Sequence, residues 1–142
     1  TVIDSWKKLT VNKATEGLMW IDVTPVPKPR QTRSDVWKKR PAVLRYRQFA
    51  DELRLACQYD EFIPSEELII EFHMPMPKSW SKKKKLEMIG RYHTVTPDLD
   101  NLIKSCVDAL FSNSERDDAC VHSIVAKKVW SVVGRINLMN KW

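Results

Sequence analysis

Apolar positions recur with two periods along this chain, and the alternation between them predicts its elements. Leu18 and Trp20, with Val23 beyond, stand among polar neighbours until Pro25, Pro27 and Pro29, which reads as a strand from Leu18 to Thr24 entering an extended segment. After Pro41, suited to a first helical turn, Tyr46, Phe49, Ala50, Leu53 and Cys57 keep helical spacing until Pro64 closes the region. From Glu67 to Met74 the period drops to two. Leu68, Ile70, Phe72 and Met74 take one face and Ile69, Glu71 and His73 the other, before Pro75 and Pro77. Ser81 can cap a short helix through Met88 whose lysines face water, with Gly90 as its stop. Leu99, Leu102, Ile103, Cys106, Val107 and Leu110 give the strongest helical stripe, started by Thr96 and Pro97. The β-branched stretch Val121 to Val133 predicts a strand that turns between Ser131 and Arg135 into another through Ile136, Leu138 and Met139. The expected fold class is α+β, a small mixed or antiparallel sheet covered by helices, in a single domain over residues 1–142.

Composition removes whole function classes. Gly17, Gly90 and Gly134 are the only glycines, so neither a phosphate-binding loop nor a dinucleotide fingerprint can be written, and no nucleotide cofactor is expected. Cys57, Cys106 and Cys120 are odd in number and widely spaced, which indicates neither a disulfide framework nor a zinc knuckle. The N-terminus has no apolar run of signal-peptide or membrane-span length, so a cytoplasmic protein with no membrane partner is expected.

The net charge of +6 is unevenly placed. Between residues 28 and 47, Lys28, Arg30, Arg33, Lys38, Lys39, Arg40, Arg45 and Arg47 face Asp35 alone. Between 78 and 91, Lys78, Lys82, Lys83, Lys84, Lys85 and Arg91 face only Glu87, so the rest of the chain is net acidic. Trp37, Tyr46, Trp80 and Tyr92 are interleaved with these cations, a pattern that suits a polyanion such as nucleic acid. A solvated lysine face is the plainer alternative.

On the strongest helix, the face opposite the apolar stripe carries Asp100, Lys104 and Asp108 at intervals of four. Asp98 precedes them in the capping turn, where its side chain can swing beside Asp100. Taken alone, this is equally an ordinary ion-paired face with acids that suit the helix dipole. Asp117 and Asp118 change the balance, because a return from helix to sheet can bring them to the helix start. Carboxylates that meet repel and raise one another's pKa, and such a cluster normally holds a hard divalent cation. Oxygen ligands favour magnesium, with manganese able to replace it, over zinc or copper. A magnesium site beside a basic surface is the equipment of phosphodiester hydrolysis, in which Lys104 would contact the phosphate. His73, His93 and His122 form no HExxH pair and are expected to pack or bind phosphate.

At these residues the chain resembles the RusA-type Holliday junction resolvases, particularly their phage-borne members. The pattern runs Pro97-Asp98-Leu99-Asp100-Asn101-Leu102-Ile103-Lys104, then Asp108-Ala109-Leu110, then Asp117-Asp118-Ala119-Cys120-Val121. Val26-Pro27-Lys28-Pro29-Arg30 also looks like the family's turn after its first strand. The resemblance implies that Asp98, Asp100 and Asp118 are the essential metal-binding acids, Lys104 the essential lysine and Asp117 an auxiliary ligand. It further implies a magnesium-dependent, structure-selective endonuclease of a bacterial host cell that resolves four-way DNA junctions as a homodimer. Phe111-Ser112-Asn113, Thr96 and Cys120 depart from the family pattern without removing a carboxylate. A non-catalytic binder of branched DNA, or a magnesium nuclease for flaps, stands as the alternative.

Overall fold

The computed structural model describes residues 18–30, 40–112 and 116–140. In chain order they form β1 (Leu18–Ile21), α1 (Pro41–Tyr59), β2 (Glu67–Pro75), α2 (Lys82–Met88), α3 (Leu99–Phe111), a 3-10 turn (Asp118–Cys120), β3 (Ser123–Ser131) and β4 (Arg135–Asn140). The sheet order is β1-β4-β2-β3. β4 runs antiparallel to both β1 and β2, and β3 parallel to β2, so the sheet is mixed. That follows from connectivity: a tight turn after Ser131 forces β4 antiparallel to β3, whereas the long excursion through α2 and α3 returns β3 parallel to β2.

The helices settle on one face of the sheet because the period-two residues of β2 supply a continuous apolar surface. Leu68, Ile70, Phe72 and Met74 join Met19, Ile21, Ile136 and Leu138 in one core with Phe49 and Leu53 of α1 and Leu102, Cys106 and Leu110 of α3. Pro41 opens α1, and Ser81 caps α2 by accepting from the Lys84 N–H at 3.2 Å. Gly90 takes φ +80° just beyond α2, a conformation that glycine tolerates without a Cβ penalty. α2 buries none of its residues and presents its lysines to water, as its composition predicts. Among the described residues no helix is long and apolar enough to cross a membrane.

The strand boundaries differ from expectation at both ends. β1 stops at Ile21, because Val23 N–H turns back to the Ile21 carbonyl at 2.9 Å, and the chain onward to Arg30 forms no ladder. β3 begins at Ser123, because the 3-10 turn has already used Asp118 to Cys120. The opposite sheet face also departs from a simple polar exterior. Glu71 and His73 are each 1% exposed and paired at 2.7 Å, with Trp20 set edge-on to the imidazole at 5.5 Å. Asn137, their fully buried neighbour across the sheet, is in register with both Glu71 and Trp20. Burial pushes the Glu71 carboxyl above its ordinary pKa against the opposing hydrogen bond from His73. Cys106 is fully buried and its thiol is pushed far up by desolvation, while Cys57 is pushed up to about 11. Both pack as small apolar groups.

Gly134, in the β3–β4 turn, sets where the segment after β1 can lie. A Cβ there would stand 2.8 Å from both Cα and Cβ of Thr24, backbone included. Gly134→Ala is therefore expected to displace Thr24 and cost about 1–3 kcal/mol in urea unfolding, as overpacking does. An unchanged midpoint would show that the Thr24 backbone yields freely.

Candidate active site

The site is assembled where the extended chain from Thr24 to Arg30 crosses α3. Ser105, fully buried on α3, shares its hydroxyl proton between the Val26 carbonyl at 2.6 Å and its own helix's Leu102 carbonyl at 3.0 Å. One turn further, the Lys28 ammonium donates to Asp108 Oδ2 in a half-buried ion pair. That hydrogen bond raises the Lys28 pKa against the lowering effect of burial, so Lys28 is charged and bound to protein. Its ammonium also lies 5.9 Å from the centroid of the Tyr46 ring.

Two open cavities flank this crossing. One of about 570 Å³ is lined by Lys28, Tyr46, Asp108, Arg116, Asp117 and Asp118. In it Asp117 caps the 3-10 turn by accepting from the Ala119 N–H at 3.0 Å. Asp117 first and Asp108 second stand beside Asp118 and raise its carboxyl to a pKa of about 6. The same contact, aided by the Ala119 N–H, holds Asp117 below its ordinary value. Arg116 reaches the cavity while donating to the Pro64 carbonyl and lying 3.6 Å from Glu66. The second cavity, about 600 Å³, is lined by Lys28, Pro29, Arg30, Asn101 and Lys104.

The predicted acids fall into two groups. Asp98 is the N-cap residue of α3, yet its exposed carboxylate makes no capping hydrogen bond. Asp100, also exposed, accepts from the Asn101 N–H at 2.9 Å. The other group is Asp108, Asp117 and Asp118. Asp117 and Asp118 thus return to Asp108 rather than to the helix start, because the connection from Phe111 to Asp117 is short and lands on the last turns of α3. At 1.5 Å rise per residue, Asp100 and Asp108 stand about 12 Å apart along the axis. Among the described residues no three His, Cys, Asp or Glu side chains are arranged to hold a metal ion. The donor chemistry nevertheless fits a hard cation: the groups are oxygen-only, and the Asp118 carboxyl is raised because its neighbours carry more negative charge than Lys28 neutralises.

Lys104 is exposed and forms no ion pair with Asp100 or Asp108, so the interpretation of it as a simple i, i+4 partner is not realised. Asp108 is taken by Lys28 instead. Of the predicted DNA-binding residues, Arg30, Arg40, Lys82, Lys83, Lys84 and Arg91 are exposed and Lys85 is half-buried. Arg40 donates to the Arg30 carbonyl at 2.7 Å, and the Lys84 ammonium stands 4.4 Å above the Trp80 ring. Arg33, Lys38 and Lys39 lie outside the described residues.

The family of endodeoxyribonuclease RusA matches residues 22–139, nearly the whole chain. The protein belongs to the RusA family. No curated protein matches it. The RusA match spans every element from the extended segment to β4, so Asp98, Asp100, Lys104 and Asp118 all fall inside it. One pairing and two side chains, Ser105 and Arg116, go beyond what the motif singles out. Asp108 was visible as the third charge on the polar face of α3, but its partner, 80 residues away in sequence, was not. Ser105 and Arg116 carry no sequence signal, since a serine within an apolar stripe and a loop arginine are both ordinary.

Ser105→Ala should leave the half-buried Val26 carbonyl without its donor. The expected loss is about 1–3 kcal/mol of stability, read from urea unfolding. A variant as stable as the parent would mean that the segment is held by Lys28 and Asp108 alone.

Proposed function

We propose that this RusA-family protein is a magnesium-dependent endonuclease that resolves four-way DNA junctions by paired phosphodiester hydrolysis in a homodimer. The observation that carries the reading is the presence at the start of α3 of Asp98 and Asp100, whose exposed carboxylates enter no ion pair among the described residues, with an unpaired Lys104 one turn on that lines one cavity with Arg30. The resemblance makes Asp98, Asp100 and Asp118 the magnesium ligands, with Asp117 as a further oxygen; Asp118 and Asp117 stand with Asp108 instead, about 12 Å along α3 from Asp100, so Asp98 and Asp100 would hold the ion without them. Magnesium bound there would supply an activated water and offset the charge that builds on the phosphate.

The remaining work falls to side chains of the chain itself. Lys104 and Arg30 present cations to one phosphate, Lys104 as a mobile point charge and Arg30 as a planar donor. Lys28 keeps Asp108 neutralised, so that this carboxylate does not repel the DNA. Asp118, its carboxyl raised to a pKa of about 6 by Asp117 and then Asp108, stays in the group that Lys28 neutralises in part. The α2 lysines, with Lys84 braced on Trp80, offer a phosphate-binding surface that carries no sequence information. A four-way junction has two-fold symmetry, and cutting two strands of like polarity needs two sites related by the same axis, which a homodimer provides.

Labelled four-way junction, duplex and flap, compared with wild type and two variants, test the reading. Asp100→Asn is expected to abolish cutting while leaving junction binding intact or tighter, since it removes a ligand and one negative charge. Lys104→Met should fold normally but cut the junction about 100-fold more slowly in single turnover, as loss of one donor to developing charge does. Wild-type cutting rates in both variants would overturn the roles given to Asp100 and Lys104, binding without cutting by the wild type would leave a binder of branched DNA, and equal rates on flap and junction would leave a general branched-DNA nuclease. Replacing Lys82, Lys83, Lys84 and Lys85 with alanine should weaken binding to all DNA shapes and flatten the salt dependence of affinity. An unchanged salt slope would make the α2 run a solvated face.

A further inference from the structure

Three exposed large apolar side chains sit among the cations of α2 and the stretch just beyond it. Leu86 is 76% exposed, Ile89 45% and Tyr92 61%, at intervals of three residues. Lys82, Lys83, Lys84 and Arg91 stand exposed around them, and Glu87 is the one acid between Lys82 and Tyr92.

The fold does not call for an apolar side chain at Leu86. α2 is anchored by its other side, where Met88 and Trp80 pack against the core and Lys84 lies 4.4 Å above the Trp80 ring. At 3.6 residues per turn, Leu86 stands about 160° around the helix from Met88, pointing away from the body. A charged residue would suit that position in an ordinary surface helix. Lys82 and Lys83, one turn back, are its neighbours on the same face. The result is an apolar tip with cations at its base.

That surround selects the occupant. A second copy meeting this one across Leu86 would set two runs of four lysines against each other, and like charges repel. DNA satisfies both parts at once, because phosphates take the lysines while an apolar side chain takes the face of a base. Inside an intact duplex every base pair is covered by its neighbours. Where the arms of a junction part, the innermost pairs lose a stacking neighbour and offer a free face. The ridge is also tied to the acids. Tyr92 is held on β3 by a bridge to Val129, and the chain beyond is pinned there by the His93 N–H on the Lys128 carbonyl at 2.9 Å and the Lys128 ammonium on the Pro97 carbonyl at 2.6 Å. Asp98 comes six residues after Tyr92, a reach of about 22 Å at most.

We propose that Leu86 is a wedge that seats on the open face of a base pair at the branch point, with Ile89 and Tyr92 extending the contact and the flanking lysines holding the phosphates. The proposal rests on the branched-DNA reading above and adds what tells a branch from a duplex, which lysines alone cannot do.

Binding to an immobile four-way junction and to duplex of the same sequence, both in chelator, tests it with Leu86→Ala and Leu86→Phe. Leu86→Ala is expected to melt and bind duplex as the wild type does while losing about tenfold in affinity for the junction, of the order of one stacked base. Leu86→Phe, which keeps an apolar tip, should retain the preference for the junction. 2-Aminopurine in an innermost base pair should change fluorescence when the wild type binds and stay unchanged with Leu86→Ala. A junction-over-duplex ratio within about twofold of wild type in Leu86→Ala, with the same 2-aminopurine response, overturns the proposal. So does a Leu86→Ala variant whose sedimentation, rather than its junction affinity, departs from wild type, since the ridge would then belong to a second copy. A wild type that prefers the junction but does not cut it fails the endonuclease reading alone, and the binding ratios still decide the wedge. A wild type with no preference for the junction over duplex overturns both.

Discussion

The clamp between α3 and the proline-rich segment that follows β1 is the interaction on which the rest depends. One hydroxyl, Ser105 to the Val26 carbonyl, and one ion pair, Lys28 to Asp108, hold a stretch that has no strand partner of its own. The prolines lower its conformational entropy in the unfolded chain, so few contacts suffice to fix it. Gly134 permits the approach at Thr24, and Tyr46 of α1 lies beneath Lys28. Both cavities that flank the crossing use this segment as a wall. A cleft that the α+β frame alone would leave shallow thereby becomes two compartments ordered along α3.

Charge is distributed across those compartments unevenly. Towards the end of α3, three carboxylates share one ammonium, and the surplus appears as the proton that Asp118 keeps up to a pH of about 6. At its start, Asp98 and Asp100 stand exposed with little to neutralise them. Lys104 lies between the two groups and pairs with neither. Surface pairs of this kind contribute only about 0.3–0.5 kcal/mol, so leaving Lys104 unpaired costs the fold little and leaves a cation for a phosphate.

Much of this was legible in the chain. The stripe from Leu99 to Leu110 marks α3, the Ser81 cap and Gly90 bracket α2, and the period-two residues of β2 name the sheet face that meets the helices. The acids and lysine of the motif could be read directly, because spacing on a single helix fixes which side chains share a face. What depends on long-range approach could not. The period-two pattern puts Glu71 and His73 on the outer face, where water is the default partner, and only the fold shows them buried beside Asn137. Likewise nothing local to Asp117 and Asp118 says whether they approach Asp108 or Asp100, since that turns on how a short loop leaves the helix. Lys28 read as a DNA contact for the same reason: its carboxylate partner comes from another element.

The central claim is that these carboxylates need a divalent cation to do chemistry, and the most direct measurement is the single-turnover rate of junction cleavage as magnesium is titrated into metal-free protein. The account predicts no cleavage in chelator and a rate that rises to saturation with magnesium, while junction binding persists throughout. Full cleavage in chelator would contradict it.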